Sequence, residues 1–126
     1  MAANLTPLEL EIMKVLWRDG ASNVQAVRDR LAGEGRDLAY NSVQTMLIVL
    51  LRKGRVRRKR VGRAFEYAPR VGRAQAARQA IADLVERMFD GSSESLVLSL
   101  IDAKRMTPSR LAAIASELEE HRAGEP

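Results

Sequence analysis

The chain has 126 residues, of which 46% are hydrophobic and 29% charged, so it suits one domain or two small ones and excludes wholesale disorder. It contains no cysteine, which excludes disulfides, thiolate metal sites and cysteine nucleophiles, and no stretch approaches the roughly 18 apolar residues of a membrane span. The formal net charge of +5 is concentrated in residues 1–69, which carry 13 Lys/Arg against 7 Asp/Glu, whereas residues 70–126 carry 8 against 9.

The N-terminal segment predicts one amphipathic helix. Residues 1–4 contain no basic region followed by an apolar stretch, so we expect no signal peptide and a cytoplasmic protein. Thr6 can cap a helix that begins at Pro7, and Glu9 can close a capping box with Thr6. Apolar residues then recur at helical spacing until Gly20 ends the pattern.

A second short helix is predicted from a cap at Ser22 or Asn23 to a stop at Gly33 or Gly35. Its apolar stripe consists of Val24, Val27 and Leu31. Both helices are apolar on one side only and are too short to be stable alone, so they must pack against the rest of the domain.

The third predicted helix runs from about Asn41 to Lys53, and Gly54 ends it. Its inward stripe consists of Val43, Met46, Leu47 and Leu50. The opposite side is mostly polar and carries no charge; its residues are Asn41, Ser42, Gln44, Thr45 and Ile48. Asn and Gln can bond adenine and Thr can meet a thymine methyl, so this side suits the edges of bases. Plain solvent exposure is the alternative.

Three residues at this helix each have two interpretations. Ser42 can contact a phosphate or cap the helix. Tyr40 can stack or hydrogen-bond at a nucleic-acid backbone, or it can pack half-buried beneath the helix. Ile48 is an apolar residue on the outward side of the helix. Exposing it to water costs free energy unless it contacts a methyl group or another surface.

A run of basic residues follows, with eight Lys/Arg in the twelve positions from Arg52 to Arg63 and no acidic residue among them. After Gly54 the pattern alternates and turns at residues 61–64, which predicts a two-stranded hairpin. Phe65 and Tyr67 on the return strand are expected to pack on the core. The candidates for phosphate contacts are Arg52, Lys53, Arg55, Arg57, Arg58, Lys59, Arg60 and Arg63, with Tyr40 beside them.

Three helices and a basic hairpin have the layout of a winged helix-turn-helix, in which the third helix enters the major groove and the hairpin, or wing, follows the sugar-phosphate backbone. Taken alone, the basic run is also compatible with a solvated surface, an RNA- or ribosome-binding surface or a lipid-attracted patch. The uncharged helix surface beside it favours double-stranded DNA. An RNA- or ribosome-associated winged helix is the alternative, and a protein-binding scaffold is a third interpretation.

From about residue 70 the chain is predicted to be helical again. A long amphipathic helix reaches Phe89, an apolar segment follows a Gly-Ser interruption, and a last helix begins at Thr107-Pro108. Because helices of this size bury little alone, sustained apolar surfaces with almost no net charge favour subunit association. The candidate dimerisation residues are Ile81, Leu84, Val85, Met88, Leu96, Val97, Leu100, Leu111, Ile114 and Leu118.

Catalysis finds little support in the sequence. His121 is the only histidine and lies in a charged segment, where a solvated helix end is the default. Ser92 and Ser93 have no base motif near them, and no Gly-rich phosphate loop occurs. We therefore expect no enzymatic activity, no cofactor and no metal.

Three blocks of the sequence point to a known family. They are Leu5-Thr6-Pro7-Leu8-Glu9 with Ile12-Met13 and Leu16-Trp17, residues 38–47, and Lys53-Gly54 with residues 62–67. On these blocks the span from Leu5 to Leu118 resembles the BlaI/MecI family of penicillinase repressors, which also includes copper-responsive CopY relatives.

The resemblance implies a homodimeric transcriptional repressor bound to a two-fold symmetric DNA operator. With the pattern of elements, it leads us to expect a mainly α-helical protein with a winged-helix DNA-binding domain in residues 1–69, built from three helices plus a two-stranded β-wing. A helical dimerisation domain is expected in residues 70–126. The resemblance also implies a sensor or protease partner that controls release.

Three departures from the family pattern limit what the resemblance implies. Copper-responsive members carry a C-terminal cysteine cluster, and this chain has no cysteine, so that metal response is excluded. In the penicillinase branch, a membrane sensor protease leads to a cut at an Asn-Phe pair, which falls here on Ser99-Leu100 and does not match. Ile48 and Leu51 also stand where the family is commonly polar or charged, so the operator sequence cannot be transferred.

Overall fold

The computed structural model describes residues 5–124, so the signal-peptide expectation for residues 1–4 lies outside the described part. Within residues 5–124 the chain forms six helices and a three-stranded sheet. It divides into two compact units, with the division after Ala80.

Two helices open the first unit as the sequence predicts. Helix α1 spans Pro7–Asp19 and helix α2 spans Val24–Gly33. The capping box is present, since the N–H of Glu9 donates to Thr6 Oγ1 at 3.2 Å and the N–H of Thr6 donates to Glu9 Oε1 at 2.8 Å. Asn23 caps α2 with its side chain. Local capping chemistry therefore decides where both helices begin.

Helix α3 spans Tyr40–Arg52, and Val43, Leu47 and Leu50 are fully buried along it. Gly54 follows with a φ of 73°, in the left-handed region that glycine reaches at little cost. This turn lets the chain leave α3 and enter the sheet at once, as the position of the glycine predicts.

The sheet contains the predicted hairpin and one strand that was not predicted. Strand β1 is Ser22–Asn23, β2 is Val56–Val61 and β3 is Ala64–Pro69, in the antiparallel order β1-β3-β2. The hairpin loop is Gly62-Arg63, with Gly62 at a φ of 64°. Strand β1 is missed because two residues are too few to show an alternating pattern.

One hydrophobic core joins the three helices to the base of the hairpin. Its buried residues are Ile12, Met13, Val15, Leu16, Val24, Val27, Leu31, Val43, Leu47, Leu50, Val56 and Tyr67. Val56 and Tyr67 come from β2 and β3, and Phe65 packs partly buried against the same core. The hairpin is therefore anchored in the domain, as expected for Phe65 and Tyr67.

Three more helices follow within the described residues. Helix α4 spans Arg73–Met88, α5 spans Ser93–Asp102 and α6 spans Pro108–Ala123. Ser92 caps α5 and Thr107 caps α6, which confirms the predicted start of the last helix. Within residues 93–123, all of them described, neither α5 nor α6 has a buried residue. Among the described residues, no helix is long and apolar enough to cross a membrane.

Candidate nucleic-acid interface

The outward side of α3 is exposed and uncharged. Asn41, Ser42, Gln44 and Thr45 are exposed, and Ile48 is half-buried. They share one side because residues three and four apart are neighbours on a helix. The structure thus brings the five predicted recognition residues together on one surface of amides, hydroxyls and one aliphatic side chain.

The start of α3 excludes one of the two interpretations of Ser42. Ala39 is the N-cap residue, and no side chain among residues 5–124 caps this helix. Ser42 therefore does not act as the cap, and its exposed hydroxyl lies in the first turn. Tyr40, the first residue of α3, is exposed and does not pack beneath the helix.

Two long-range contacts fix the ends of α3. Arg28 of α2 donates from Nε to the carbonyl of Leu38, just before α3, at 2.9 Å. Lys53, the C-cap of α3, donates from Nζ to Glu9 Oε1 at 2.8 Å. Sequence reasoning identified neither contact, because partners 10 and 44 residues apart leave no local pattern.

The Glu9 carboxylate is almost completely buried, with a relative exposure of 1%, and its Lys53 partner is 24% exposed. Burial raises the pKa of the Glu9 carboxyl, but the hydrogen bonds from Lys53 and Thr6 outweigh it, and the net pKa is lowered. Glu9 is therefore held as a carboxylate that joins the start of α1 to the end of α3.

The wing presents arginines on an aromatic support. Arg58 and Tyr67 are paired across the strands, as are Arg60 and Phe65, so all four side chains lie on one side of the hairpin. The Arg58 guanidinium carbon lies 4.0 Å from the centre of the Phe65 ring, and that of Arg60 lies 5.7 Å from it. Arg58 Nη1 also donates to Tyr67 Oη at 3.3 Å. Phe65 and Tyr67 thus pack on the core and position Arg58.

The other side of the hairpin is also basic. Arg57 and Lys59 lie there, paired across the strands with Ala68 and Glu66. The Glu66 carboxylate offsets part of this charge. The wing therefore has one basic side with aromatic support and one basic side with an acidic residue in it.

Six of the eight basic residues in the predicted contact set are exposed, and they are Arg52, Arg57, Arg58, Lys59, Arg60 and Arg63. Lys53 is bound to Glu9. Arg55 departs from the expectation, because its side chain is only 6% exposed and its Nη1 donates to Gln79 Oε1 at 2.9 Å. We therefore leave both Lys53 and Arg55 out of the proposed phosphate contacts.

The predicted dimerisation residues all belong to the second unit. The exposed ones are Ile81, Leu84, Met88, Leu100 and Leu118, and the half-buried ones are Leu96, Val97, Leu111 and Ile114. Val85 departs from the set, because it is already buried within the chain itself.

Comparison with known proteins decides the family. A sequence model of the family described as "Penicillinase repressor" matches residues 5–120, which is nearly the whole chain. The chain belongs to the penicillinase repressor family. The resemblance noted in the sequence is thereby confirmed. Because this is a family of transcriptional repressors and not of enzymes, the expectation that the chain is not an enzyme is confirmed as well.

Individual members of the penicillinase repressor family give the same result. The penicillinase repressor of Bacillus licheniformis is 26% identical over 118 residues, covering 94% of this chain and 91% of the relative. The transcriptional regulator BlaI of Mycobacterium tuberculosis is 35% identical over 95 residues, covering 75% of this chain and 68% of the relative.

A solved structure confirms the predicted winged helix. The solution structure of the monomeric form of Bacillus licheniformis BlaI in complex with the blaP half-operator is similar, with a TM-score of 0.50 and 29% sequence identity. The match covers 60% of this chain and 90% of that one.

Proposed function

We propose that this DNA-binding transcriptional repressor of the penicillinase repressor family acts as a homodimer on a two-fold symmetric operator in double-stranded DNA. One observation carries the proposal: the same winged helix presents an uncharged, exposed side of α3 and an exposed basic wing. In this assignment α3 reads base edges in the major groove through Asn41, Ser42, Gln44, Thr45 and Ile48. The half-operator bound by the monomeric form of the Bacillus relative supports one half-site per protomer.

The wing and the two ends of α3 supply the phosphate contacts. The proposed residues are Tyr40, Arg52, Arg57, Arg58, Lys59, Arg60 and Arg63. Because the hairpin carries its cations on two opposite sides, not all of them can reach one DNA backbone. We assign about four phosphate contacts to each protomer, which gives affinity and orientation without sequence information.

A second copy of the chain is proposed to cover the apolar side chains of the second unit. Met88 is 71% exposed and Leu98 is 66% exposed. Burying one such side chain stabilises by about 1.5–3 kcal/mol. Helices α5 and α6 bury none of their own residues, so association supplies the core that they lack. Dimerisation is accordingly assigned to the helical region that follows the winged helix, in residues 70–126.

We also propose that the protein acts in the cytoplasm and that a sensor or protease partner controls its release from DNA. The family resemblance supports such a partner. Ser99-Leu100 lies inside α5 and differs from the Asn-Phe pair, so a cut at this position is not part of the proposal.

Selection of duplex sites from a random pool tests the proposal with purified full-length protein. We expect a consensus of two half-sites related by two-fold symmetry, and a Gln44→Ala variant that enriches it weakly. A consensus with a single half-site would contradict the homodimer, and no enrichment would contradict sequence-specific binding. Structured RNA that competes better than the selected duplex would favour the RNA-binding alternative.

A further inference from the structure

Arg55 lies at the junction between α3 and the wing. It follows Gly54 and precedes β2, and its own N–H donates to the carbonyl of Leu50 in α3 at 3.0 Å. Of the eight basic residues from Arg52 to Arg63, all within the described range, Arg55 alone is buried. A guanidinium is costly to bury without hydrogen-bond acceptors, so its partners identify what the residue does.

Two partners of Arg55 lie in the segment that follows the wing. Its carbonyl accepts from the N–H of Arg70 at 2.9 Å, and its Nη1 donates to Gln79 Oε1 at 2.9 Å. Gln79 is on α4, less than two turns after its first residue, Arg73. A third bond acts on the same segment, because Trp17 Nε1 of α1 donates to the carbonyl of Val71 at 2.9 Å. Residues 70–79 are thus held to the α3–wing junction by the contacts of Arg55 and to α1 by the indole of Trp17.

We propose that Arg55 and Gln79 are positioning residues for operator binding, which hold the start of α4 against the α3–wing junction and thereby set the spacing of half-sites that the dimer accepts. The inference rests on the proposed homodimer. Helix α4 is continuous over 16 residues, from Arg73 to Met88, and four of the predicted dimerisation residues lie on it. At 1.5 Å per residue its length is about 24 Å, so a change of about 10° at its start moves its end by about 4 Å. That displacement exceeds the axial rise of one base pair, about 3.4 Å.

The position of Gln79 allows a clean test. Gln79 is exposed on a helix, so Gln79→Ala removes the acceptor of the Arg55 bond and leaves the core intact. Gln75→Ala is the matched control, since Gln75 is an exposed glutamine one turn earlier on the same helix. Gln79→Glu is the conservative variant, because its carboxylate still accepts from the Arg55 guanidinium.

The measurement is the affinity of each full-length variant for two kinds of duplex. One carries two selected half-sites at the selected spacing, and the other carries the same half-sites with one or two base pairs added or removed between them. A duplex with an isolated half-site is the reference. We expect wild type, Gln75→Ala and Gln79→Glu to lose about tenfold or more in affinity for a two-base-pair change. Gln79→Ala is expected to lose less than about threefold, with its affinity for the isolated half-site within about twofold of wild type.

Two results would overturn the inference while leaving the homodimer in place. One is a Gln79→Ala variant that discriminates spacing as sharply as Gln75→Ala. The other is a Gln79→Ala variant that loses as much affinity for the isolated half-site as for the paired half-sites. Such a result would mean that Gln79 acts on the winged helix alone and not on half-site spacing. If wild type binds paired half-sites no more tightly than the isolated one, the homodimer proposal fails, and the inference fails with it.

Discussion

Replacing Glu9 by glutamine tests whether the contact between α1 and α3 stabilises the recognition helix. The substitution keeps the size of the side chain and removes its charge. Glu9 is buried and accepts hydrogen bonds from Lys53 Nζ and from the backbone of Thr6, each at 2.8 Å. A glutamine oxygen can still accept from Thr6, but the charged interaction with Lys53 is lost.

The size of the effect follows from the burial of the two partners. Breaking a fully buried ion pair costs about 3–5 kcal/mol, because one charge is left unpaired. Lys53 is 24% exposed and can turn towards water, so we expect Glu9→Gln to lower the free energy of unfolding by about 2 kcal/mol. For a chain of this size that loss corresponds to a decrease in Tm of about 8 °C.

A matched control is Glu11→Gln on the same helix. Glu11 pairs with Arg36 at 3.2 Å, but the two side chains are 40% and 50% exposed. Solvent screens this pair, so its loss is expected to cost less than about 0.5 kcal/mol. Urea and thermal denaturation of wild type and the two variants, followed by circular dichroism, measure the difference.

The pH dependence gives a second readout. The pKa of Glu9 is lower in the folded chain than its ordinary value of 4.5, so the folded state favours the carboxylate. Its contribution to stability is fully present above the unfolded pKa and is lost as the pH falls through the folded pKa. Wild type should therefore approach Glu9→Gln in stability as the pH falls from 7 to below 4.5. Equal losses for the two glutamine variants, or a difference that stays constant with pH, would refute this reasoning.

Further predictions concern binding and assembly. Gln44→Ala should weaken binding to the selected operator by about tenfold or more and binding to random DNA very little, whereas Arg58→Ala should weaken binding to both alike. Fluorescence anisotropy measures both affinities. Equal losses in the two variants would contradict the assignment of base recognition to α3 and of phosphate binding to the wing. With about four phosphate contacts per protomer, log affinity against log salt should fall with a slope of about −7, and a slope near that of a single protomer would contradict a bound dimer. Leu118→Glu should shift the protein towards monomer in analytical ultracentrifugation. Ser116→Glu, which adds the same charge on the same helix, is the control. A dimer that persists in Leu118→Glu would exclude Leu118 from the interface.

Elements with local signals could be predicted from the sequence. Thr6, Asn23 and Thr107 cap helices where the sequence places caps, because capping depends on residues within one turn. The hairpin was visible because alternation over six residues per strand is a clear pattern, and its turn carries a glycine. The uncharged side of α3 followed from helical periodicity alone.

Features that depend on distant partners could not be predicted. Arg55 has the same sequence surroundings as the exposed arginines of the run, and only the packing of Gln79, 24 residues later, shows that it is buried. The Glu9–Lys53 pair joins residues 44 apart. Strand β1 forms because β3 offers an edge to pair with, which is a property of the fold and not of Ser22 and Asn23.

The aromatic support of the wing limits how its binding strength can be transferred to another protein. If only the basic residues of this wing were transferred to another hairpin, the charge would be the same, but the side chains would still sample many rotamers. Ordering each of these side chains on binding costs about 0.5–1.5 kcal/mol. Phe65 and Tyr67 hold Arg58 before DNA arrives, and Tyr67 belongs to the core. A functional graft therefore has to include the aromatic pair and a core that receives it.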